Sequence, residues 1–222
     1  MSRREKNRIE KCNRIIAAAL KVFAEVGYLG ASMERIARQA GLTKPTLYNY
    51  YPSKDILFEE MMKIPGDTMM LNIEAPDKND ISTQLLEFAW AYTEIVMHQH
   101  YLALARLIIS EAQRFPEIGR KYQESGPNKV LVGLIAFMDA SKTLGKLTFE
   151  DVELAAEDFW GLILSAPRNR ALHSPDLRLK KSELARFVHN GLRVFFKAYS
   201  TNPQHDLKLL EIAIEHRNYN EI

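Results

Sequence analysis

Residues 41–54 read Gly41-Leu42-Thr43-Lys44-Pro45-Thr46-Leu47-Tyr48-Asn49-Tyr50-Tyr51-Pro52-Ser53-Lys54. Glycine tolerates the left-handed backbone that a tight turn between two helices requires, and Leu42 can tuck inward beside it. Thr43 offers a hydroxyl N-cap. Pro45 falls in the first helical turn, where the N–H groups have no intrahelical partner and a missing one costs nothing. The spacing predicts a helix over Lys44 to Tyr50, ended by Pro52 and Ser53, with a fourth helix starting at Lys54.

Upstream, Ser32 predicts the cap of a second helix that turns Ile36, Ala37 and Ala40 inward and stops at Gly41. Arg35 stands where a capping box carries glutamate, so only half of that box is present. Further back, Ile9, Cys12, Ile16, Ala19, Leu20 and Phe23 recur at spacings of three and four, which predicts a first amphipathic helix ending at Gly27. Two short helices around a glycine turn, the second opening on a hydroxyl, form the outline of a helix-turn-helix.

The detail is sharper than that outline. Ile15-Ile16-Ala17-Ala18-Ala19-Leu20 with Phe23 and Gly27, then Ser32-Met33-Glu34-Arg35-Ile36-Ala37, then the run from Gly41 to Lys54 closely resemble the TetR/AcrR family of one-component bacterial regulators. The resemblance covers residues 9 to 58; beyond it only length and helical character agree. It implies that Lys44, Pro45, Thr46, Tyr48 and Tyr50 meet DNA, that Lys54 contacts a phosphate, and that Ser32 and Met33 approach the DNA backbone. Physical chemistry supports those residue types: hydroxyls and a lysine around Thr43, Lys44 and Thr46 suit phosphate and base edges at a helix end. Pro45 stands where the family commonly has glycine and Tyr50 where it commonly has histidine, so the base sequence read is open. Tyr51 is expected in the core. Arg3, Arg4, Lys6 and Arg8 are read as a flexible basic arm that reaches the phosphates or a minor groove.

Charge distribution agrees. Net charge is only +2 over 222 residues, but residues 1–63 carry twelve Lys/Arg against seven Asp/Glu, so the remainder is mildly acidic. A basic head on an acidic body fits a DNA-reading module joined to a sensing one. The leading residues are too polar for a signal peptide and no apolar stretch reaches spanning length, so a cytoplasmic protein is expected. One cysteine, Cys12, excludes an internal disulfide.

An all-α fold is predicted. Its domains are a helix-turn-helix DNA-binding domain over 1–54, a linking helix and connector over 55–80 with Pro65-Gly66 as a hinge, and a helical effector-binding and dimerisation domain over 81–222. Further helices are expected at Ile81 to His98, Tyr101 to Phe115, Glu117 to Glu124, Asn128 to Thr143, Phe149 to Ser165, Lys181 to Tyr199 and His205 to Arg217, with a loop from Pro167 to Pro175. Large soft side chains suggest an apolar effector pocket, with Phe88, Trp90, Tyr92, Met97, Tyr101, Phe137 and Trp160 as walls and Arg106 as a polar orienter. The stripes Val152, Ala156, Phe159, Ile163 and Leu184, Val188, Gly191, Phe195 suggest a four-helix interface with a second copy.

The expected partners are an operator in double-stranded DNA, a small effector and a second copy of the chain, with no cofactor, metal or membrane. The function so read is a sequence-specific DNA-binding regulator, a repressor released from its operator by a small, largely apolar molecule. An enzyme or carrier would need a nucleophile–base pair, a phosphate-cradling glycine loop or metal-ligand spacing, none of which the sequence displays. A protein-interaction adaptor would lack salt-sensitive DNA binding.

Overall fold

The computed structural model describes residues 2–62, 75–77 and 80–217. The connector at Pro65-Gly66 lies outside them. Among the described residues the regular structure is helical: α1 (Arg3–Gly30), α2 (Met33–Gln39), α3 (Lys44–Tyr50), α4 (Lys54–Met62), α5 (Ile81–Val96), α6 (Gln99–Ala112), α7 (Pro116–Ser125), α8 (Pro127–Thr143), α9 (Val152–His173), α10 (Lys181–Tyr199) and α11 (Pro203–His216). The all-α expectation is borne out.

The helices group into two compact units, and the grouping cuts across the sequence-based boundaries. One unit takes Met1–Ile64 with Gln99–Gly126; the other takes Pro65–His98 with Pro127–Ile222. Helices α6 and α7 thus pack with the N-terminal head, burying Leu104, Leu107, Ile108, Ile118 and Tyr122 in the same core as Ile15, Phe23, Ile36, Leu47 and Leu57. In the head, α1 packs on α2 and α6, and α4 on α7.

Local chemistry sets the helix ends. Ser2 Oγ accepts the Glu5 N–H at 3.2 Å while Glu5 accepts the Ser2 N–H at 2.7 Å, a reciprocal capping box that starts α1 at Arg3. The basic residues expected to form a flexible arm are therefore helical. Gly27, at φ +70°, breaks the helical path near the end of α1 where a C-terminal cap was anticipated. Asp80 caps α5 by accepting the Thr83 N–H at 2.9 Å, and Asp151 caps α9 through Glu153 and Leu154 at 2.8 and 3.1 Å.

The second unit is built on α9 and α10, its most extensive helix pair, with α5, α8 and α11 packed around them. Phe159 and Phe195 meet edge to face at 5.3 Å, and both are fully buried. This core absorbs the expected dimer stripe: Ala156, Phe159, Ile163, Leu184, Val188, Gly191 and Phe195 are buried within the chain, and Val152 is partly so. Helical periodicity marks a buried face without saying whether the same chain or another covers it. At Gly191, a Cβ would stand 2.8 Å from the Leu162 carbonyl oxygen and 2.6 Å from Ile163 Cγ2, so the small residue serves the close approach of α9 and α10.

One boundary expectation fails clearly. Helix α9 continues through Pro167 to His173 instead of ending at Ser165. Pro167 is buried inside it, and packing of Ile163, Leu164 and Ala171 along the same face outweighs the one hydrogen bond a proline forfeits.

Candidate nucleic-acid interface

The turn between α2 and α3 is a Schellman motif. The Leu42 N–H donates to the Ala37 carbonyl at 2.9 Å and the Gly41 N–H to the Arg38 carbonyl at 3.1 Å, with Gly41 at φ +62°. Thr43 caps α3, accepting the Thr46 N–H at 3.4 Å with the two hydroxyls 2.8 Å apart. At α2, Ser32 accepts the Arg35 N–H at 3.2 Å, and Arg35 pairs with Glu25 of α1 at 2.9 Å. These caps fix both helices through Ser32, Thr43 and Thr46 and leave the side chains of Pro45, Tyr48 and Asn49 out of them.

Helix α3 has a buried side and an exposed one. Leu47 is fully buried and Tyr51 nearly so, which anchors α3 to the core. Thr43, Lys44, Pro45, Tyr48 and Asn49 are exposed, with Thr46 and Tyr50 half-buried beside them. Six of the residues expected to meet DNA, Thr43, Lys44, Pro45, Thr46, Tyr48 and Tyr50, therefore share one short, accessible element. Asn49, overlooked in the sequence, joins them; its place one residue after Tyr48 on a seven-residue helix was the available signal.

Three expected residues differ. Met33 is buried, because it occupies the inward first turn of α2; only its backbone stands at a helix start. Lys44 Nζ meets Glu34 Oε1 at 2.5 Å on the surface. That hydrogen bond raises the Lys44 pKa and lowers that of Glu34. A solvent-exposed pair of this kind can be exchanged for a phosphate.

Lys54 is engaged internally. Its ammonium donates to the carbonyls of Tyr28 at 2.8 Å and Ala31 at 3.1 Å, and sits 4.5 Å from the Tyr28 ring centroid. The Tyr28 hydroxyl in turn donates to Asp55, and burial, then that hydrogen bond, raises the phenol pKa. Glu111 of α6, itself buried, accepts the Tyr28 N–H at 3.3 Å. Lys54 thus closes the carbonyl end of α1 as well as starting α4. Lys54→Ala is expected to destabilise the protein by about 1.5–3 kcal/mol, the scale of charge-assisted hydrogen bonds, which urea unfolding would measure.

The residues expected to line an effector pocket do not form one group. Tyr101 and Arg106 lie on α6 in the head unit. In the other unit Phe88, Tyr92 and Trp160 gather, with ring centroids 5.3 and 4.2 Å from Trp160. Trp90 points to the far side of α5, since a two-residue step turns roughly 200° around a helix; there it is fully buried, 6.2 Å from the His189 ring and under Arg217. Phe137 and Met97 belong to the same core, the first buried and the second partly so.

A capped two-helix turn presenting the polar face of α3 beside a basic α1 defines a helix-turn-helix protein of the DNA-binding class. A profile of bacterial regulatory proteins of the tetR family matches residues 15–61, and one described as the AefR-like transcriptional repressor C-terminal domain matches residues 83–201. The chain belongs to the TetR family of transcriptional regulators.

Solved structures agree. A TetR-family regulator from Mesorhizobium loti superposes with TM-score 0.69 at 29% identity, covering 90% of this chain and all of that one. The flavonoid-responsive regulator FrrA gives 0.64 at 30%, covering 86% and 98%. Among curated proteins, the HTH-type transcriptional regulator YuxN of Bacillus subtilis is 31% identical over 98 residues, 43% of this chain and 34% of its own length. That match therefore spans about a third of the relative. Among the described residues no helix is long and apolar enough to cross a membrane.

Proposed function

We propose that the chain is a cytoplasmic, homodimeric repressor that seats α3 in the DNA major groove and leaves its operator when a small, largely apolar molecule binds the C-terminal helices. The observation that carries this reading is the division of α3 into a buried anchor, Leu47, and an exposed face holding Lys44, Pro45, Tyr48 and Asn49. Thr43, Thr46 and Tyr50 flank that face, while Ser32 and the Met33 N–H stand at the start of α2, where a phosphate would meet them. Lys54 spends two of its three N–H donors on the Tyr28 and Ala31 carbonyls, which leaves one for a phosphate.

A dimer sets the spacing of the two heads, roughly 34–36 Å for successive major grooves. The outward faces of α9 and α10 suit that contact. Leu154 is 64% and Val194 40% exposed. A Cβ at Gly161 would meet open space, so a second copy can approach closely there.

For the effector, Phe88, Tyr92 and Trp160 supply an aromatic wall. Two relatives support an apolar molecule: FrrA is named flavonoid-responsive, and a Bacillus subtilis protein 28% identical over 167 residues is named a fatty acid metabolism regulator. Operator affinity measured with a panel of flavonoids and fatty acids tests the release. The expected result is a loss of about five- to 150-fold for the matching class, the range of allosteric couplings of 1–3 kcal/mol. A ligand that binds the chain and leaves operator affinity unchanged contradicts it.

A further inference from the structure

The first turns of α1 hold a second charged feature. Arg4, Arg8 and Lys11 recur at steps of four and three, so they lie along one helical face. With Asn7 they form one wall of an open groove whose other wall is Asn49 and Tyr50, at the C-terminal end of α3. Ser2 and Glu5 also line it, but both are committed to the capping box. Arg4, Arg8 and Lys11 are all exposed.

We infer that this groove seats a stretch of the DNA sugar-phosphate backbone beside the major groove occupied by α3, so that α1 is a rigid phosphate-binding rail instead of a flexible arm. This rests on the reading of α3 as the element that enters DNA. Length supports it: seven residues of helix rise about 10 Å, the axial run of about three phosphates of one strand. Charge supports it too, because three cations face two neutral donors, Asn49 and Tyr50, which can hydrogen-bond phosphate oxygens without reading sequence. The capping box holds the rail in place before DNA arrives, so little ordering entropy is lost on binding.

The test uses the full chain, with an operator fragment selected from the source genome and a random duplex, titrated between about 50 and 200 mM salt. Arg4→Gln/Arg8→Gln/Lys11→Gln retains helix-favouring residues at exposed positions. It is expected to lose tenfold or more in affinity for both duplexes alike, and its log–log salt dependence should flatten by about 0.9 for each phosphate released. Arg8→Gln alone gives a smaller flattening in the same direction and serves if the triple variant folds poorly. Unchanged salt dependence and affinity in both variants overturn the proposal, as does a loss confined to the operator. If the unaltered chain shows no salt-sensitive DNA binding, the reading of α3 fails first. Loss of operator preference in Tyr48→Ala alone, with both rail variants unchanged, refutes only the rail.

Discussion

Tyr48→Ala is expected to weaken operator binding by about tenfold to a hundredfold while leaving the unfolding midpoint where it was. The magnitude is that of about 1–3 kcal/mol for a well-placed contact to a base. The separation from stability follows from geometry: Tyr48 is 39% exposed, whereas its neighbour Leu47 is fully buried and carries the anchoring of α3. Binding to random duplex should change much less than binding to the operator, because a residue that reaches base edges contributes little where there is no matching sequence. Fluorescence anisotropy with both duplexes, paired with urea unfolding, measures the two effects separately. An equal loss on both duplexes would make Tyr48 a phosphate contact, and no loss on either would remove it from the interface.

Phe195→Ala is expected to cost about 3–5 kcal/mol of stability, the usual range for removing a buried aromatic. Phe195 has no exposed surface; it meets Phe159 at 5.3 Å, Phe196 at 5.9 Å and Tyr199 at 5.0 Å. Close packing around it leaves little room for collapse. Gly191 fixes α10 against the Leu162 backbone and Ile163 nearby, so the helices cannot readily close over the void. Calorimetry or denaturant unfolding checks the value. A cost near zero would place this side chain outside the core.

The head was legible in the sequence because its instructions are local. Ser32, Gly41, Thr43 and Pro45 act within a few residues of themselves, and each does what its chemistry predicts. Local chemistry also carried α10, whose predicted span coincides with the observed one. What failed was non-local. Pro167 is a strong local breaker, yet α9 passes through it because packing along the buried face outweighs one hydrogen bond. Phe159, Ile163, Val188 and Phe195 form the kind of stripe that covers a partner or a core equally well, and only coordinates tell the two apart. Lys54 illustrates a further limit: nothing near it in sequence indicates that Tyr28 and Ala31 would supply its carbonyl partners.

The site was legible as a set of residue types but less so as an arrangement. Lys44 and Tyr48, one helical turn apart, share the exposed side of the short α3, whereas Tyr50, two residues beyond Tyr48, is half-buried against the head core. The aromatic residues of the larger unit had no such constraint. Phe88 and Trp90, two residues apart, turn to opposite sides of α5, and Tyr101 joins the other unit altogether.

In a dimer, the exposed face of α3 is expected to enter the major groove of an operator twice. Footprinting on the tightest-bound genomic fragment, with the unaltered chain and with Tyr48→Ala in parallel, reads this out. Two protected half-sites about one helical turn apart, roughly 34–36 Å, are expected for the unaltered chain, with loss of both at the same concentration of Tyr48→Ala. Protection that survives the substitution unchanged, or that covers a single site with no counterpart a turn away, would rule out this mode of binding.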